Sequence, residues 1–124
     1  MEIIFIIGRV LLGGYFIYSG FGHFKNHKNT TAYAKMKGVP MASVGVIVSG
    51  ALMFLGGLAV LLDVRMALGL WLIVIFLVPT TFIMHQFWKV SDPMAKIGET
   101  INFTKNIALI GSVLMLIEIG RAHV

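Results

Sequence analysis

Residues Met66–Trp88 read MALGLWLIVIFLVPTTFIMHQFW, and the fold turns on this stretch. Met66 to Met84 carries no charge. At about 1.5 Å per residue, a helix over it is nearly long enough to cross a hydrocarbon core of roughly 30 Å. His85, Gln86, Trp88 and Lys89 follow at once, polar and amphipathic groups that suit the headgroup region. Pro79-Thr80-Thr81 lies one to two turns earlier. Proline frees a carbonyl inside a helix, and neighbouring threonine hydroxyls can re-satisfy the broken ladder. Apolar helix, local break and polar mouth make this the most site-like segment of the chain.

The remaining composition agrees. Of 124 residues, 58 % are hydrophobic and 12 % charged, more apolar surface than a soluble domain of this size could bury. The bilayer must act as solvent. The formal charge of +5 does not indicate a nucleic-acid partner, because the lysines fall in the connections between apolar runs. With no cysteine, thiol catalysis, disulfides and cysteine-bound metal centres are excluded.

Working outward from the decisive stretch gives one transmembrane domain over residues 1–124. Its spans are expected at about 3–22, 41–62, 66–86 and 103–120. Ile3–Gly22 has no basic leader or small-residue cleavage site and reads as a retained helix. Arg9, Gly13, Phe16, Gly20 and His23 fall along one stripe of it, expected to face the bundle interior. Thr30–Lys37 reads as a short interfacial helix with a threonine cap, stopping at Gly38. Gly38-Val39-Pro40 then turns the chain into the second span. That span carries small residues at Ala42, Gly45, Ser49, Gly50, Gly56 and Gly57, a helix-packing pattern. Asp63-Val64-Arg65 is a tight connection that makes spans two and three antiparallel neighbours. Asp92-Pro93 reads as a turn within a polar connection over residues 91–100. In the fourth span Thr104, Ala108, Gly111, Met115 and Glu118 line one face, expected to meet the small-residue face of the first span inside the bundle. The expected fold is an all-α integral membrane four-helix bundle with a short interfacial helix after the first span.

Lys25, Lys28, Lys35, Lys37, Lys89, Lys96 and Lys105 fall on the side that follows spans one and three. Arg9, Arg65 and Arg121 fall on the other. The positive-inside rule puts the lysine-rich side in the cytoplasm and both termini outside.

Gly8-Arg9-Val10-Leu11-Leu12-Gly13, then Phe16 and Ser19-Gly20, resembles the opening helix of the DoxX family of small four-helix membrane proteins. So do Gly38-Val39-Pro40, the glycine-rich second span, and Pro79 followed by His85-Gln86-Phe87-Trp88. The likeness covers nearly the whole chain. The first-helix motif often ends in lysine where His23 stands here. The family is similar to the DoxD subunit of quinone-reducing thiosulfate oxidoreductases. The resemblance therefore implies a bacterial cytoplasmic (inner) membrane protein tied to a redox system.

His23 and His85 end spans that run in the same direction, so both are expected at one membrane surface. Two imidazoles at matched depth could hydrogen-bond a quinone, or ligate a haem or metal, with quinone the favoured ligand. The plain alternative is that they are interfacial residues beside Phe24 and Trp88. A metal is not expected, because two histidines are too few ligands and no carboxylate has obvious spacing to complete them. Thr81 is expected one turn before His85 on the same face, with Trp88 at the rim. His27 and His123 read as surface residues. Arg9 is expected to pair with Glu118 across the bundle, with Asp63 as the competing partner, because ionisable residues within spans normally face partners. No nucleotide loop, dinucleotide fingerprint, catalytic serine motif or zinc-protease helix occurs. Three functions stay open. They are an accessory membrane subunit of a quinone-linked redox system with a membrane or redox protein partner, a quinone-dependent oxidoreductase in its own right, and a transporter built as a homo-oligomer.

Overall fold

The computed structural model describes residues 2–122. Five α-helices account for most of them: α1 (Glu2–Lys25), α2 (His27–Met36), α3 (Ala42–Leu62), α4 (Met66–Met84) and α5 (Pro93–Ala122), with a 3-10 turn at Phe87–Lys89. All but α2 are long and apolar enough to cross a bilayer, which gives the expected four-span all-α bundle.

The seam between α1 and α3 is made of backbone. A Cβ on Gly13 would stand 2.7 Å from the Gly57 carbonyl, and one on Gly20 would stand 2.7 Å from that of Gly50. Gly56 and Gly69 bring α3 and α4 together in the same way. Lipid supplies no hydrophobic force between helices, so close backbone approach is what holds such a pair. Gly13, Phe16 and Gly20 are buried, as the stripe on the first span requires. Around that seam Phe16, Met53, Val60, Leu70, Ile73, Leu77, Val113 and Ile117 form the core.

The turns are where their residues placed them. Gly38 takes φ +85°. Asp63 and Arg65 both adopt left-handed backbone in the tight turn from α3 to α4. Three expectations are corrected. First, α2 begins at His27, not at a threonine cap. The ladder of α1 runs on to an Asn26 N–H bonded to Gly22, so Thr30 and Thr31 lie a turn inside the next helix.

Second, Asp92-Pro93 is the start of α5 and not a loop turn. The Asp92 carboxylate accepts the Ala95 N–H at 2.9 Å, and Pro93 sits at the first helical position, where its missing N–H costs nothing. The fourth span thus starts some ten residues before Phe103. Lys105 stands inside a helix and not in a connection.

Third, the small-residue face of α5 points outward. Thr104, Ala108, Gly111, Met115 and Glu118 are all exposed, while Val113 and Ile117 are buried with Leu109 and Ile110 beside them. α5 packs through branched and aliphatic side chains, so Gly111 marks no seam.

Candidate functional site

Pro79 interrupts α4 within its last turns. Having no N–H, it leaves the Ile75 carbonyl without its usual donor. Beside this break lies a cavity of about 410 Å³, lined by His23, Ser49, Phe76, Pro79, Thr80 and His85 among others. Its walls come from α1, α3 and α4, and Tyr33 and Ala34 of α2 close one side. Val48 and Ile75, also in the lining, are 51 % and 53 % exposed, so the mouth opens sideways toward lipid. A smaller chamber of about 190 Å³ lies behind, between α1, α4 and α5. It shares His23, Phe76, Thr80 and His85 with the first and adds Ser19, Asn102, Lys105 and Asn106. The two histidines, 62 residues apart in sequence, thus line the same two spaces.

Each histidine is held from behind. His23 Nδ1 is 3.0 Å from the Ser19 carbonyl one turn earlier, and its ring meets Phe76 edge-on at 6.4 Å. His85 Nδ1 is 3.1 Å from Glu99 Oε1. Glu99, 8 % exposed, accepts from Lys37 Nζ at its other oxygen and from the Asn102 amide at 3.2 Å. The chain Lys37–Glu99–His85 therefore ties the end of α2, the start of α5 and the end of α4 into one polar junction. The Glu99 carboxylate beside it holds the Lys37 ammonium above its ordinary pKa of 10.5.

Glu99 was not legible as a site residue while residues 91–100 read as a loop. The signal that could have found it was Asp92-Pro93 read as a helix cap, which puts Glu99 six residues into α5. His85 and Glu99 are two of the groups a metal could use, but among the described residues no cluster of three or more such side chains forms.

The other candidates disperse. Thr81 is fully buried, its Oγ1 has no hydrogen-bond partner, and it lines neither cavity. Thr80, one position earlier, takes the place expected of it. Trp88 is 48 % exposed and packs with Phe87 and Phe103, away from the cavities. Arg9 turns to α3. It donates to the Val60 and Leu61 carbonyls at 3.3 and 2.8 Å, and Asp63 lies 3.9 Å away. Asp63, expected as the competing partner, is a carboxylate beside Arg9 at the C-terminal end of α3, where the last carbonyls of the helix attract a cation. His27 reaches the Ser43 carbonyl at 3.2 Å, linking α2 to α3. His123 lies outside the described residues.

The sequence pattern of the DoxX family matches residues 4–86, from α1 through His85. The chain belongs to the DoxX family. No curated protein and no solved structure matches it. In this DoxX protein the matched region holds both histidines, Lys37 and every lining residue of the 410 Å³ cavity, whereas α5 and Glu99 lie beyond it. The family supplies the multi-pass membrane fold, and the chemistry has to be argued from the side chains.

Proposed function

We propose that this DoxX protein is a quinone-binding membrane subunit of a redox system, taking a lipid-soluble ring into the cavity between His23 and His85. One observation carries the reading: two imidazoles on different helices line a single apolar cavity whose mouth faces lipid. About 410 Å³ lies within the ordinary size of small-molecule sites, and few polar groups in an apolar wall are what orient such a ligand. The chain has no cysteine to hold an iron–sulfur cluster or a redox disulfide, which favours an accessory subunit whose electron donor or acceptor sits on a partner. The same reading places the chain in a bacterial inner membrane, with the histidine end and its loop lysines in the cytoplasm and both termini outside.

The test is binding of decylubiquinone and its reduced form to the purified full chain in detergent. Stoichiometric binding of one or both is expected. His23→Leu and His85→Leu should each weaken it about tenfold, the loss of one hydrogen bond in an apolar site. Binding left unchanged by both substitutions would move the site elsewhere.

A further inference from the structure

The two histidines share an orientation as well as a cavity. In each ring Nδ1 faces an oxygen that can only accept, the Ser19 carbonyl for His23 and the Glu99 carboxylate for His85. Neither oxygen has a hydrogen to give, so Nδ1 carries the hydrogen in both rings. A neutral imidazole then has a lone pair at Nε2 and nothing to donate there. Among the described residues neither Nε2 has a protein partner.

We infer that the cavity selects the reduced, hydroxyl-bearing form of its ring ligand, a hydroquinone or similar phenol, over the oxidised carbonyl form. The inference rests on the ring-binding reading above and adds the oxidation state of the ligand. A phenolic hydroxyl donates to a waiting Nε2. A quinone carbonyl in the same place sets an oxygen lone pair against a nitrogen lone pair, and both stay unsatisfied away from water. Discrimination between a donor and its donor-less analogue is the strong kind, because an Nε2 covered by a bound ring that cannot donate goes unpaired.

Glu99 is the positioning residue. It lines neither cavity and reaches the ligand only through His85. Lys37 and Asn102 donate to its carboxylate from other directions, which fixes it facing the ring. His23 gets the same tautomer from its own helix, through a backbone carbonyl that no side-chain substitution removes.

The experiment compares decylubiquinol with decylubiquinone on the full chain in detergent, and reads the ring nitrogens of His85 by 15N NMR without ligand. The reduced form is expected to bind about tenfold tighter or more, and His85 to carry its hydrogen on Nδ1. In Glu99→Gln the amide can donate or accept, so the ratio should fall to within about threefold while the thermal midpoint stays close to wild type. A purely structural Glu99 would move the midpoint and leave the ratio alone, which overturns the inference. Equal binding of the two forms by wild type, or a hydrogen on His85 Nε2, also overturns it and leaves the ring-binding reading standing. Binding of neither form overturns both. The wild-type measurements decide the matter even if Glu99→Gln does not fold.

Discussion

Thr80 and Thr81 differ by about 100° around one helix, and that rotation separates cavity from core. Thr81 is enclosed with an orphan hydroxyl. Replacing it by valine keeps the shape and removes the unsatisfied group, so Thr81→Val should be neutral or stabilising by up to about 1 kcal/mol, with ligand binding unchanged. Thr80→Val should leave stability alone and weaken ligand binding a few-fold. Thermal unfolding and ligand titration on the two variants check the pair, and a binding defect in Thr81→Val would return that residue to the site. Arg9 is argued at the same scale. Its two bonds to α3 carbonyls are charge-assisted, whereas Asp63 is half-exposed and nearly 4 Å away. Arg9→Gln should therefore cost about 1–3 kcal/mol and Asp63→Asn under about 1 kcal/mol. A double-mutant cycle in detergent measures both. Equal losses would make the ion pair, and not the helix cap, the function of Arg9.

At the scale of elements, the glycines sort by what their backbones meet. A side chain at Gly13 or Gly57 runs into main chain of the opposite helix at under 3 Å, which no rotamer can relieve. Gly13→Ala and Gly57→Ala should each destabilise by about 1–3 kcal/mol, while Gly8→Ala and Gly14→Ala, which open onto empty space, should be neutral or slightly stabilising. Thermal midpoints of the four variants give the contrast, and equal effects would show that the seam tolerates separation. The tie from α2 to α5 carries a pH signature. Because Lys37 has its pKa raised in the folded protein by the bond to Glu99, its contribution is fully present below the ordinary value of 10.5 and is lost only as pH climbs through the folded value. The stability difference between wild type and Lys37→Met should then be constant across neutral pH and shrink only in strong alkali. A difference that varies between mildly acidic and neutral pH would assign the bond's energy to another group.

For the whole molecule, charge placement sets orientation. Lys96 and Lys105 both stand inside α5, and the five lysines left on the histidine side, Lys25, Lys28, Lys35, Lys37 and Lys89, still outnumber the arginines opposite. A reporter fused after Val124 should behave as periplasmic, and Lys28→Cys should be shielded from an impermeant thiol reagent in intact cells. The opposite labelling would put the histidine end, and the cavity behind it, on the outer side.

The sequence by itself determined the number of spans, the tight turn at Asp63–Arg65, the glycine seam of α1 and the membrane class. These depend on local run length and on small residues recurring at helical spacing, properties that lipid imposes on each segment separately. It also marked His23 and His85, because polar residues at the end of an apolar run are conspicuous. Only the tertiary structure decided which groups meet them. Glu99 became a partner of His85 once α5 was seen to begin at an aspartate cap, and Arg9 found the α3 carbonyls because they lie across the seam. Such pairings join residues 14 to 62 positions apart and depend on how helices rotate and slide against one another. The face of α5 followed the same rule. Two stripes, one small and one branched, were both written in it, and the helix turned the one that filled space toward the core.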